Sequence, residues 1–174
     1  MDSVHHVALL GLMGSGKTTV GQLVADELGW PLVDSDVVVQ ERTGMTVAEL
    51  WERGGEPAYR PHEREAVTQA LAGPGPDVVA VAAGAIEDHV AVASIRQHGV
   101  FRVWLRAEPE TVAQRVTLSD HRPLIPDDPF AVLATQAKER SEAYEEVADL
   151  VLDVEDGEPE ELADRIVDEV RARS

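Results

Sequence analysis

A chain of 174 residues, 44% of them hydrophobic, is long enough for one domain with a sizeable core and holds no apolar run of membrane-spanning length. Its formal net charge of -18 argues against a nucleic-acid partner, whose footprint on a protein is basic. Zero cysteines exclude disulfides and thiolate metal sites and are compatible with a reducing cytoplasm, and no basic stretch leading into an apolar one reads as a secretory signal.

Val7, Ala8, Leu9 and Leu10 read as a buried strand. The next eight residues, Gly11-Leu12-Met13-Gly14-Ser15-Gly16-Lys17-Thr18, fit the phosphate-loop pattern of Gly, four residues, then Gly-Lys-[Ser/Thr]. Val20, Leu23, Val24 and Leu28 follow at helical spacing, and Gly29 ends that helix. A strand feeding a glycine-rich turn at a helix N-terminus aims backbone N–H groups and the helix dipole at one point, which makes an anion site before any side chain is counted. Lys17 adds a charge for the outer phosphates and the Thr18 hydroxyl is placed to hold Mg²⁺, so the chain is expected to bind a nucleoside triphosphate.

Pro31, Leu32 and Val33 begin a second strand that delivers Asp34-Ser35-Asp36. A short helix over 37–42 stops at Gly44. Thr46 and Glu49 form a capping-box signature for a helix over 47–53, which Gly54-Gly55 ends. Residues 56–71 are helical in composition, with a bent or late start implied by Pro57 and Pro61. A turn at 73–76 leads to a continuous apolar strand over 78–81, of the kind a sheet covered on both faces needs, and then to Ala82-Ala83-Gly84-Ala85. A helix over 90–98, a strand over 100–105 and a helix over 109–116 come next. Residues 117–129 are polar and carry three prolines, the usual composition of a mobile lid. A long helix over 130–147, a strand over 150–152 and a helix over 159–171 complete the chain. This alternation predicts an α/β fold: one three-layer domain over 1–174 with a five-stranded parallel sheet and its ligands at the carboxyl ends of the strands.

An acidic protein that binds an anion must concentrate its few cations at the site. The chain has two lysines, Lys17 and Lys138, so arginines are expected to do most of that work. Arg60, Arg122 and Arg140 are candidates, since guanidinium forks suit carboxylates and phosphates; taken singly, an exposed arginine is more often a surface ion pair than a ligand. Asp34 and Asp36 at the end of a strand suit Mg²⁺ or a substrate hydroxyl. They also suit a helix N-cap, and Asp36 could be cap and ligand at once.

The ordered set of phosphate loop, Asp34-Ser35-Asp36, the segment from Thr43 through Leu50, Gly55-Glu56-Pro57-Ala58-Tyr59-Arg60, Arg122-Pro123-Leu124 and Arg140-Ser141-Glu142-Ala143-Tyr144 resembles bacterial shikimate kinases over nearly the whole chain. The resemblance implies a nucleoside-monophosphate-kinase-like P-loop fold and ATP-dependent phosphorylation of shikimate to shikimate 3-phosphate. The protein is expected to be cytoplasmic and a monomer. It implies that Gly14, Ser15, Gly16, Lys17, Thr18 and Thr19 contact ATP, with Arg115 and Pro159 on either side of adenine. Lys17 and Arg122 would stabilise the transferring phosphoryl group, and Thr18 and Asp34 would serve Mg²⁺. Asp36 would hold ring hydroxyls, Arg60 and Arg140 the substrate carboxylate, and Glu63 would brace Arg60; Gly84 would contribute backbone to the same pocket, which the helical segment 36–71 helps form. One departure stands out: the family carries three glycines where this chain reads Ala82-Ala83-Gly84, which brings two methyls to a place of close approach and would strain any position needing positive φ. Tyr59 in place of the usual Phe adds a hydroxyl beside Arg60. A kinase for another small hydroxy-acid such as gluconate and a non-catalytic nucleotide-binding module are the rival readings.

Overall fold

Five parallel strands stand in the order β2-β3-β1-β4-β5 in the computed structural model, which describes residues 3–117 and 128–174. They are β1 His6–Leu10, β2 Leu32–Asp34, β3 Asp77–Ala80, β4 Val100–Arg106 and β5 Leu150–Asp153. The α-helices among the described residues are α1 Lys17–Leu28, α2 Ser35–Thr43, α3 Val47–Ala72, α4 His89–Ile95, α5 Pro109–Thr117, α6 Pro129–Val147 and α7 Pro159–Arg173. Every expected strand is present, and the central one, β1, pairs with β3 on one side and β4 on the other.

The side-chain period of two divides the core into two layers. Val7 and Leu9 of β1 join Val78, Phe101, Val103, Leu105 and Leu152 in packing against α1 and α7. Ala8 and Leu10 point the other way, with Val79, Val81 and Trp104, onto α3, α4, α5 and α6. All five residues of β1 are buried, which explains why its sequence reads as a continuous apolar run rather than an alternation. A smaller cluster of Val39, Leu50, Tyr59 and Ala66 ties α2 to α3.

Three local readings change. The segments expected as helices over 47–53 and 56–71 form one element, α3, kinked at Gly55, whose φ of 65° and ψ of -156° are non-helical. Pro57 falls in the first turn after that kink, where its missing N–H costs no helix hydrogen bond. The segment after β3 is a short 3₁₀ helix, Ala83–Glu87, rather than an open turn. Asp88 then accepts hydrogen bonds from the backbone N–H groups of Val90 and Ala91, and this cap starts α4 at His89; the helix ends at Ile95, short of the expected 98.

Candidate active site

The phosphate loop leaves β1 and ends at α1, as its sequence requires. Gly11, Gly14 and Gly16 all have positive φ, at 146°, 82° and 98°. At Gly11 a Cβ would also meet the Leu105 carbonyl oxygen at 2.6 Å, so conformation and space both demand glycine there. Lys17 curls over the loop and donates from Nζ to the carbonyl oxygens of Gly11 (2.8 Å) and Leu12 (2.9 Å). Burial lowers its pKa to about 8, against the upward pull of Asp36 and Asp34, with Arg140 adding to the fall. The buried Ser15 Oγ has no hydrogen-bond partner among the described residues. An unpaired hydroxyl and a half-desolvated ammonium inside a nest of backbone N–H groups fit the phosphates of a nucleotide.

Asp34 and Asp36 diverge. Asp34 closes β2 and caps α2: its Oδ1 accepts from the Asp36 backbone N–H, and its Oδ2 accepts from Thr18 Oγ1, both at 2.9 Å. The cap is therefore Asp34 and not Asp36, because the chain turns helical at Ser35. Thr18 and Asp34 bring a hydroxyl and a carboxylate oxygen together at the foot of the loop. Such hard oxygen donors fit a Mg²⁺ ion that keeps several waters and binds phosphate. No group of three or more His, Asp or Glu side chains gathers to hold a metal among the described residues. Asp36, one residue into α2, accepts a hydrogen bond from the Tyr59 hydroxyl at 2.8 Å. Burial, and then Asp36 itself, raise the Tyr59 pKa far above its ordinary value, so this phenol stays a donor.

Across the rim, Arg60 of α3 and Arg140 of α6 converge. Arg140 is buried, at 6% exposure, and gives two hydrogen-bonding nitrogens to one oxygen of Glu87, Nη2 at 2.7 Å and Nε at 3.0 Å. Arg60 Nη2 lies 3.6 Å from the same oxygen, while its Nη1 and Nε donate to Glu63 (2.7 Å) and Glu56 (2.9 Å). Burial works against the Arg60 charge, but Glu63 outweighs it and holds the guanidinium firmly protonated. Burial conversely raises the Glu63 pKa, with Arg60 opposing. The guanidinium of Arg60 lies against Gly84, where any Cβ would overlap it. Gly84 has no positive φ, so the tight fit there comes from the close approach of Arg60 and not from the backbone. Ala82 has φ -55° and no described non-glycine residue has positive φ, so the strain anticipated at Ala82-Ala83 is absent.

The turn that carries Gly84 is pinned from both sides. The Ala82 N–H donates to the buried Ser35 Oγ at 2.9 Å, and the Tyr144 hydroxyl donates to the Ala83 carbonyl at 2.7 Å. A cavity of about 320 Å³ opens beside it, lined by Glu56, Arg60, Arg64, Gly84, Glu87 and Asp88. Arg115 donates from Nη1 to the Gly14 carbonyl at 3.1 Å and so lies over the phosphate loop, and Pro159 begins α7 beyond the end of β5. Thr18 and Thr19 are exposed in the first turn of α1. Arg122 and most of the segment 117–129 lie outside the described residues. Sequence reading missed the pinning roles of Ser35 and Tyr144, although both stand in segments that carry the resemblance, and it missed Glu87 altogether. Glu87 carries no motif of its own and gains meaning only from what the fold sets beside it.

A phosphate loop on the central strand, facing an arginine pair across the carboxyl rim of a parallel sheet, defines a P-loop phosphotransferase acting on a small acceptor. The shikimate kinase family model matches residues 13–171. A shikimate kinase of Moorella thermoacetica is 39% identical over 171 residues, covering 96% of this chain and 95% of its own. One from Thermobifida fusca is 39% identical over 172 residues, covering 99% and 98%. Among solved structures, a shikimate kinase from Acinetobacter baumannii in complex with shikimate has a TM-score of 0.91 at 30% identity, covering 98% of this chain and 95% of that one. The chain belongs to the shikimate kinase family, and is a kinase that acts on an alcohol group.

Proposed function

We propose that the protein transfers the γ-phosphoryl group of ATP to the 3-hydroxyl of shikimate, giving ADP and shikimate 3-phosphate. The observation that carries this reading is the meeting of Arg60 and Arg140 on one carboxylate oxygen beside Gly84. That oxygen belongs to Glu87, and it stands where an acceptor's carboxylate would be gripped. Membership of the family and a relative solved in complex with shikimate support the choice of acid.

In this reading the chemistry is positioning and charge neutralisation. The bond from the γ-phosphorus to the bridging oxygen of ADP breaks as the bond to the shikimate oxygen forms. Asp36 orients the acceptor hydroxyl and takes its proton. Lys17 leaves the Gly11 and Leu12 carbonyls for the phosphates, and the loop N–H groups and Ser15 hold the remaining oxygens. Thr18 and Asp34 would hold Mg²⁺, which offsets phosphate charge when bound. Arg122 adds a further cation at the phosphoryl group, carried by the lid segment 117–129, and Gly14, Gly16 and Thr19 complete the phosphate contacts. Arg115 and Pro159 flank the adenine, with Arg115 already over the loop.

The reading takes 1–174 as a single kinase domain with 36–71 as its acceptor-binding segment, active as a cytoplasmic monomer with no nucleic-acid or membrane partner. The charge of -18 argues against a nucleic-acid partner, whose footprint is basic, and no helix among the described residues is long and apolar enough to cross a membrane. ADP release coupled to NADH oxidation tests the activity. Shikimate is expected to drive Mg²⁺-dependent turnover where gluconate does not. Preference for gluconate, or ATP consumption with neither acid, would overturn the assignment.

A further inference from the structure

Three carboxylates, Glu56, Glu63 and Glu87, surround the two guanidiniums of Arg60 and Arg140, so the described cluster carries one more negative than positive charge. An anionic acceptor entering it meets an acidic competitor at the place its own carboxylate must occupy. The three acids differ in their freedom to leave. The Glu63 side chain is 3% exposed and fixed against Arg60. Glu56 is well exposed but contacts the outer edge of Arg60 only. Glu87, 45% exposed, is the acid that spans both arginines.

We infer that Glu87 is a resident counter-ion of the Arg60–Arg140 pair, which the acceptor's carboxylate displaces on binding, so that this side chain sets acceptor affinity. The inference rests on the acceptor reading given above. Its physical basis is the burial of Arg140. A guanidinium with so little access to water must keep a charged partner, and Glu87 provides it through a single oxygen. Departure of Glu87 requires only rotation about its own side-chain bonds. The backbone beneath it stays held, by Tyr144 on the Ala83 carbonyl and by the Asp88 cap, itself ion-paired to Arg64 at 2.6 Å. Arrival of the acceptor carboxylate then restores the pairing of Arg140, and the released Glu87 regains solvent.

A tethered competitor acts as a tax on affinity: the apparent dissociation constant rises by the reciprocal of the fraction of time the arginine pair is open. A pair filled roughly 70–90% of the time would weaken acceptor binding about three- to tenfold. Glu87→Gln keeps the shape and one accepting oxygen but removes the charge, and Glu87→Ala removes the contact. Both are expected to lower the shikimate KM by about three- to tenfold, with kcat and the ATP KM moving by less than about twofold. Without shikimate both variants should melt below wild type, because Arg140 loses its charged partner, and saturating shikimate should raise their Tm by more than it raises that of wild type. An unchanged or higher shikimate KM in Glu87→Ala overturns the inference, and that variant decides if the two diverge. Absence of wild-type turnover with shikimate defeats the acceptor reading and this inference together; turnover with an unmoved KM defeats this inference alone.

Discussion

Lys17 is the residue at which the conflict between folding and function is sharpest. Burial draws its pKa down to about 8, so the ammonium is charged at neutral pH by a narrow margin in the nucleotide-free protein. Deprotonation removes the positive charge that the phosphates need, so kcat/KM for ATP should fall along a one-proton limb as pH rises through about 8, since that parameter reports the free enzyme. A profile measured from pH 6 to pH 10 checks this, and a flat profile to pH 10 would mean that the charge is not held so weakly. The same shift has a second consequence with its own sign. The folded value lies below the ordinary 10.5, so the contribution of Lys17 to stability is full above that value and is lost as pH falls through about 8. Lys17→Ala should therefore abolish turnover and leave the circular dichroism spectrum intact, because the side chain serves the loop and packs in neither core layer.

At the scale of elements, the turn after β3 decides how an Ala-Ala-Gly sequence fits a family that carries three glycines there. Ser35 and Tyr144 hold its backbone in φ,ψ space open to alanine, and at its last position a Cβ would have to displace the Arg60 guanidinium. Gly84→Ala should push the guanidinium aside and raise the shikimate KM roughly ten- to a hundredfold, the equivalent of one charged hydrogen bond, while the ATP KM holds. Restoring glycine at 82 and 83 should do the reverse of what a strained turn would show. Shikimate turnover stays equal or improves, and stability falls by roughly 0.4–1 kcal/mol per site from added chain freedom. Chemical denaturation measures the second effect, and a gain in stability would reveal hidden strain. Elements with a strong local signal were legible from sequence: the phosphate loop between a buried strand and a periodic helix, the Thr46–Glu49 capping box, and the strands over 78–81 and 100–105. The pairing of Arg60 with Glu63 was legible only through family resemblance. The continuity of α3 was not, since Gly54-Gly55 is an ordinary helix stop and only tertiary packing makes it a kink. Nor was the Glu87 contact, because α3, the 3₁₀ turn and α6 meet only when the sheet is assembled.

The whole molecule is an anion that must bind two anions. Four of its described cations, Lys17, Arg60, Arg115 and Arg140, stand at the rim that carries the phosphate loop and the arginine pair. Self-repulsion of a net charge of -18 opposes the compact state, and exposed ion pairs such as Arg171–Glu27 and Arg42–Glu65 offset little of it. Raising ionic strength from about 10 mM to about 150 mM shortens the screening length from about 30 Å to about 8 Å, well inside the span of the molecule. Screening then relieves the long-range repulsion more than it weakens pairs in contact. The melting temperature should rise with NaCl at pH 7, and a fall would show that the surface pairs outweigh the net charge. Lowering pH relieves the same repulsion only down to a limit. Asp88 and Asp149 keep depressed pKa values despite burial, through Arg64 and Arg102, and Asp153 does so through Arg106. Depressed folded values give stability that is present above the ordinary aspartate pKa near 4 and is lost as pH falls through them. Glu63 has the opposite sign: its raised value favours folding most at low pH, and that gain is lost as pH rises through it. Stability at low salt should therefore peak on the acid side of neutrality, above the range where those aspartates protonate. Adding salt should flatten the alkaline side of that peak and leave its acid edge in place, because the edge belongs to pairs in contact and the alkaline slope to charge spread over the whole surface.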